Sequence, residues 1–300
     1  MSHFADRLNA LIQERGTPLC VGLDPRWESL PMSVRQRYDD NPEGRAAAYE
    51  TFCARVLDLV AGRVPIIKMQ LAFFEACGPA GFAVLQRLNR RARQMGALVL
   101  LDGKRNDIAT TATAYAEAAF SIWNGDALTV NPYLGRDAIE PFIQQARQNS
   151  GGVFVLVRTS NPGARLFQDL LCEGKPLYRH VGEQVAQWSR AHLSADGWGD
   201  VGAVVGATYP AELAELRSAL PEVIFLVPGF GAQGGSVADV RAAFRADGLG
   251  AIINSSRGIV FPFSPDETQW ERRIIAATDE AIGKLKDCNL VTSQTTPVRA

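Results

Sequence analysis

The sequence predicts a single-domain α/β protein, a (β/α)8 TIM barrel, on three observations. Eight short apolar runs recur along the 300 residues, a helical pattern follows each, and polar or charged residues gather where the runs end. Eight strand-then-helix units in a chain of this length favour a closed barrel over an open doubly wound sheet. Such barrels commonly run to about 250 residues as one domain.

Taken in order, a helical pattern at 3–15 precedes the first run and is expected to cap the amino end of the barrel. The runs are PLCVGLD (18–24), VPIIKMQ (64–70), ALVLLDG (97–103), DALTVNP (126–132), GGVFVLVRTS (151–160), VGAVVGAT (201–208), VIFLVPGFG (223–231) and GAIINSSRG (250–258). Runs apolar at successive positions read as strands covered on both faces. Stretches rich in Ala, Leu, Glu, Arg and Gln lie between them, at 44–62, 78–95, 108–122, 134–149, 177–193, 210–219, 235–246 and 267–286. Residues 1–286 are thus expected to form one catalytic barrel domain, and the polar, aperiodic 287–300 a disordered tail. The long connections 25–43 and 159–175 follow strand ends, which places them on the rim where ligands bind.

Composition narrows the function classes. Lys+Arg 31 against Asp+Glu 32 gives a net charge of −1, so no global field recruits nucleic acid or a membrane surface, and neither is expected as a partner. The cysteines, Cys20, Cys53, Cys77, Cys172 and Cys288, are odd in number and scattered, as in a reduced, cytoplasmic protein without a disulfide framework or zinc site. His3, His180 and His192 do not flank a predicted strand end, and no metal site is expected. The N-terminus has no apolar core of a signal peptide, and no apolar run approaches a membrane span.

The richest stretch is LVLLDGKRNDIATT (98–111), a buried strand running into charges at its carboxyl end. Alternation puts Asp102 and Lys104 on one side, Gly103 lets the backbone pass closely, and Asp107 falls at the turn into a helix. Two carboxylates flanking Lys104 would favour its protonated form. The alternative is a surface Asp102–Lys104 ion pair with Asp107 as a helix N-cap. Other run ends carry Asp24, Lys68, the Thr159–Ser160 pair and Arg257. Lys68 interrupts the apolar IIKMQLAFF, where a charge is costly unless paired, and Asp102 on the next strand is its natural partner. PGFGAQGG (228–235) and Arg257 in NSSRG (254–258) suit a phosphate after the seventh and eighth strands, although a glycine-rich stretch can also be a plain tight turn.

Together Asp102-Gly-Lys104-x-x-Asp107-Ile108-x-x-Thr111, Lys68 one strand earlier, Asp24 in VGLDPR, PGFGAQGG and Arg257 resemble the orotidine 5'-phosphate decarboxylase family over about residues 16 to 286. IIKMQLAFFE resembles its longer bacterial branch, type 2. The resemblance implies a homodimer that converts orotidine monophosphate to UMP and carbon dioxide in pyrimidine biosynthesis, with no metal or organic cofactor. It implies a charged tetrad of Lys68, Asp102, Lys104 and Asp107, with Asp107 and Thr111 reaching the partner's site. It further implies ribose contacts from Asp24 and Lys68, phosphate contacts from Gln233 and Arg257, and a pyrimidine contact from Ser160. Asn131 is a rim residue without an assigned role. The chemistry agrees: loss of carbon dioxide from pyrimidine C6 leaves a carbanion with no carbonyl placed to delocalise it, so a fixed cation must stabilise it. Three rival readings are a metal-dependent sugar-phosphate lyase, in which an acid stands where this chain has Lys68, a Schiff-base aldolase, and a catalytically silent nucleotide-binding barrel.

Overall fold

The apolar runs form eight parallel strands: β1 Leu19–Leu23, β2 Ile66–Gln70, β3 Leu98–Arg105, β4 Ala127–Val130, β5 Gly152–Arg158, β6 Val201–Val205, β7 Phe225–Val227 and β8 Ala251–Ser255. In the computed structural model, which describes residues 2–230 and 237–286, each pairs with its sequence neighbour. β8 closes the barrel on β1, with Leu19 opposite Ile253. The tail 287–300 lies outside the described residues.

Strand alternation divides the apolar residues into two cores. Leu19, Val21, Ile67, Met69, Val99, Leu101, Val153 and Val155 meet the surrounding helices, while Cys20, Ile66, Leu98, Leu100, Phe154 and Ile252 fill the barrel. Continuous apolar sequence is therefore required, because both faces of each strand are dry. Helix α1, Phe4–Arg15, closes the amino end by burying Phe4, Ala5, Leu8 and Ile12 against the inner core. His3 caps it by accepting from the Ala5 N–H, and Gly16 ends it with φ 65°. Gly152 at the foot of β5 makes room for this plug: a Cβ there would lie 2.4 Å from the Phe4 ring.

The outer layer is built from α2 Pro42–Val60, α3 Gly78–Gln94, α4 Ala109–Glu117, α5 Arg136–Gln148, α6 Leu177–Arg190, α7 Pro210–Ala219, α8 Val237–Arg241 and α9 Trp270–Lys286. α2 starts two residues before its apolar pattern because Asn41 caps it, accepting from the Gly44 N–H at 2.8 Å, with Pro42 in the first turn. α8 is much shorter than the pattern at 235–246 suggests. Its end tightens into bonds from Ala243 to Val240 and Phe244 to Arg241, ahead of the turn at Asp247–Gly248. The connection after β5 holds a four-residue helix, Arg165–Gln168, and a two-strand ribbon of Leu171–Cys172 with Lys175–Pro176. Among the described residues, no helix is long and apolar enough to cross a membrane.

Candidate active site

The same alternation that fills the barrel turns polar toward its carboxyl end. Inward positions pass from Ile66 to Lys68 and Gln70 on β2, from Leu100 to Asp102 on β3, from Ala127 to Thr129 on β4, and from Ile252 to Asn254 on β8, with Ser256 just past its end. These side chains floor a cavity of about 650 Å³, whose rim carries Asp24, Lys104, Ser160 and Arg257. Gly22 on β1 must lack a side chain, since a Cβ would sit 2.0 Å from Ser256 Oγ and 3.1 Å from Asn254 Oδ1.

Asp102 is the centre of the charged floor and accepts four hydrogen bonds. Oδ2 takes Lys68 Nζ at 3.0 Å and Gln70 Nε2 at 3.1 Å, and Oδ1 takes Lys104 Nζ at 2.6 Å and Thr129 Oγ1 at 2.9 Å. Lys68 Nζ also lies 3.4 Å from Asp24 Oδ1. Burial alone would raise the Asp102 pKa, but attraction to Lys68 and then Lys104, with their hydrogen bonds, holds it well below the ordinary carboxylate range. Burial would likewise lower Lys68, yet Asp102 and Asp24 drive it above the usual lysine value. Cys20 lies beneath this group. Burial pushes its thiol up to about 12, so it is a neutral sulfhydryl filling space.

Breaking a buried ion pair by removing one partner costs about 3–5 kcal/mol. Asp102→Asn is expected to lose that much stability in urea titrations at neutral pH. The depressed carboxyl pKa means its contribution is complete above about pH 4 and disappears as pH falls through the lower folded value. The raised Lys68 pKa means its contribution is complete below about pH 10 and disappears only as pH rises through the higher folded value. Wild type and variant should therefore differ most between about pH 5 and 10 and converge in strong acid. An equal gap in strong acid and at neutral pH would contradict this account.

Lys104 reaches the floor through unusual backbone geometry. Between β3 and β4 the register slips from Leu101 opposite Leu128 to Arg105 opposite Val130, and Lys104 adopts φ 45° with its N–H on Thr129 Oγ1 at 2.9 Å. Ala109 at φ 49°, where α4 begins, is a second left-handed residue. Each costs about 1–3 kcal/mol and persists only where the surroundings over-determine it.

Asp24, Lys68, Asp102, Lys104, Ser160 and Arg257 thus share the cavity lining, whereas Asp107, Thr111 and Asn131 are absent from it. Within the described residues of one chain a single carboxylate, that of Asp102, meets the Lys104 ammonium. Among the described residues the ammonium gripped by two acids is Lys68, between Asp24 and Asp102, while Lys104 pairs with Asp102 and no ion pair joins it to Asp107. Asp107 is not a helix N-cap either. Its Oδ1 accepts the adjacent Ile108 N–H at 2.8 Å, and the extended Ile108 precedes the helix. Thr111 is exposed on the first turn of α4, beside exposed Ile108 and Tyr115. Gln233 and residues 231–236 of the glycine-rich stretch lie outside the described residues, but Pro228, Gly229 and Phe230 line the cavity.

Three floor residues escaped the motif reading. Gln70 and Thr129 bind Asp102, and Asn254 Oδ1 is buried without a hydrogen-bond partner. Counting by twos from Lys68, Ala127 and Ile252 would have found each. At the opposite, amino end His3, His192 and Asp200 cluster, but Asp200 is already engaged by both Arg147 and His192.

Residues 17–268 match the model of the orotidine 5'-phosphate decarboxylase / HUMPS family. The chain is 50% identical to the orotidine 5'-phosphate decarboxylase of Rhodopirellula baltica, across 95% of this chain and 100% of that one. It is 40% identical to the enzyme of that name from Deinococcus radiodurans, across 94% and 98%. The structure of Leishmania donovani OMP decarboxylase superposes with a TM-score of 0.77 at 35% identity, covering 96% of this chain and 99% of that one.

Proposed function

The chain belongs to the orotidine 5'-phosphate decarboxylase / HUMPS family, and from that membership we propose that it is a carboxy-lyase converting orotidine 5'-phosphate to UMP and carbon dioxide without a cofactor. The observation that carries the reading is the Asp102-centred network, which fixes Lys68 and Lys104 at the mouth of a closed barrel.

In this reading the bond from C6 to the carboxylate breaks, its electron pair stays on C6, and neutral carbon dioxide leaves. Lys104 faces the developing charge, then gives C6 a proton and regains one from solvent. Because the ammonium is already oriented by Asp102, stabilisation costs no reorganisation as charge develops. Asp102 stands near the departing carboxylate, and the repulsion is relieved as neutral carbon dioxide forms. Lys68 and Asp24 hold the ribose hydroxyls, Ser160 reads the pyrimidine amide, and Arg257 and Gln233 take the phosphate. Asp107 and Thr111 complete the site of a partner subunit in a homodimer. Ile108 and Tyr115, exposed on either side of Thr111 in the chain, support that assignment.

The rival chemistries fit the site less well. A buried ammonium between Asp24 and Asp102 stands where a metal-dependent lyase would need an acid. The raised pKa of Lys68 keeps it protonated, unsuited to a Schiff base. Loss of orotidine 5'-phosphate absorbance at undiminished rate in excess EDTA tests the proposal, and chelator-sensitive turnover or none would overturn it.

Arg257 supplies the phosphate test. A charge-assisted contact is worth about 1.5–3 kcal/mol, so Arg257→Ala should raise KM by roughly 10- to 150-fold. kcat/KM should fall by at least as much, because binding energy remote from C6 orders the site. A variant slowed only in product release would refute that role.

A further inference from the structure

The rim after β5 is held by polar contacts with little apolar support. Within residues 161–174 only Ala164 is buried, while Leu166, Phe167, Leu170 and Leu171 are exposed. A segment with so few apolar anchors is positioned by whatever specific bonds it makes.

Those contacts converge on Arg158, which Asp169 meets by charge and not by a hydrogen bond. β5 bulges at Val157, since Leu156 pairs with Val204 and Arg158 with the next residue, Val205. Strict alternation would have turned Arg158 into the cavity beside Leu156. The extra residue instead sends its guanidinium between Tyr209, 4.2 Å from the ring centroid, and Tyr178, at 5.3 Å. The side chain is 1% exposed and does not line the cavity. Its Nη1 lies 2.8 Å from Asp169 Oδ1 and donates to Gln168 Oε1 at 3.4 Å, and its Nη2 is 3.9 Å from Glu212 on α7.

Gln168 passes this anchor to the rim. Its Oε1 accepts the Thr159 N–H at 3.0 Å and its Nε2 donates to Thr159 Oγ1 at 2.8 Å, clamping that residue from both sides. The Thr159 hydroxyl in turn donates to Asn161 Oδ1 at 2.6 Å. This relay brackets Ser160 and, by occupying the Asn161 carbonyl, leaves the Asn161 amide N–H groups available to the cavity it lines.

We propose that Arg158, Gln168 and Asp169 form a clasp that positions Thr159, Ser160 and Asn161 and thereby sets discrimination of the pyrimidine base. The inference rests on the reading of this cavity as a pyrimidine nucleotide site. Uracil presents a carbonyl where cytosine presents an amine, so a fixed row of donors and acceptors favours one. A row free to rearrange favours neither. Arg158 and Asp169, outside the cavity lining, are positioning residues distinct from the groups at C6, whereas Gln168 also stands at the cavity wall, so Asp169→Ala isolates the positioning effect.

The test compares affinities for UMP, CMP and ribose 5-phosphate in wild type, Gln168→Ala and Asp169→Ala, together with KM and kcat for orotidine 5'-phosphate. Asp169 lies outside the cavity lining and is partly exposed, so its variant should fold, whereas replacing the buried Arg158 would disturb the packing around it. Loss of the clasp should reduce the UMP-to-CMP preference by about tenfold or more and raise KM, while Asp169→Ala keeps kcat near wild type. Affinity for ribose 5-phosphate, which has no base, should be unchanged. A preserved UMP-to-CMP ratio in Asp169→Ala overturns the clasp even if Gln168→Ala changes it, as does parallel loss of ribose 5-phosphate binding, which marks general disruption. Wild type that neither decarboxylates orotidine 5'-phosphate nor prefers UMP overturns the underlying reading and the clasp with it.

Discussion

Lys104→Ala is expected to abolish nearly all decarboxylation while leaving the fold intact. Two losses combine. At an effective dielectric near 20, an ammonium about 4 Å from a developing anion is worth about 4 kcal/mol, or roughly a thousandfold in rate. Losing the proton donor to C6 removes a further factor of about 10² to 10⁴. The combined fall in kcat should thus be about 10⁵-fold or more, measured by single-turnover loss of substrate absorbance. Folding should be nearly untouched, because the Lys104 side chain is 46% exposed and Asp102 keeps Lys68, Gln70 and Thr129. UMP binding and thermal denaturation near wild-type values would separate this from collapse of the floor. A variant retaining about a hundredth of the rate would show that charge stabilisation and proton delivery lie elsewhere.

The barrel is legible in the sequence because each strand is buried on both faces and each helix on one, so the apolar pattern repeats. The floor is legible for a related reason. A charge inside IIKMQLAFF has few tolerable fates, and pairing with the carboxylate of the next strand is the simplest. What the sequence conceals is wherever alternation breaks. The bulge at Val157 hides Arg158 from the cavity, and the slip between β3 and β4 sets Lys104 in the left-handed region. Neither carries a residue signature, since both arise from how two twisted strands meet at the barrel mouth. Asp107 misleads for a local reason: Asp is a good N-cap, but here its carboxylate turns to its immediate neighbour and the helix starts later.

That displacement of Asp107 is also what makes subunit exchange decisive. Neither Asp107 nor Thr111 lines its own chain's cavity, and Ile108 (54%) and Tyr115 (40%) leave an exposed face next to them in the chain. If a twofold partner covers this face, each site joins Lys104 of one subunit to Asp107 of the other. Lys104→Ala and Asp107→Ala proteins should each be nearly inactive alone. Random reassortment of an equal mixture makes about half the dimers mixed, and in each mixed dimer one site regains both residues, so about a quarter of wild-type activity should return. Lys104→Ala mixed with Asp102→Asn is the control, because both residues belong to the same subunit's floor and no intact site can form. Recovery in the first mixture alone requires a shared site. Equal silence in both, with exchange verified by mass, would mean that each chain completes its own site and that the exposed face serves another purpose.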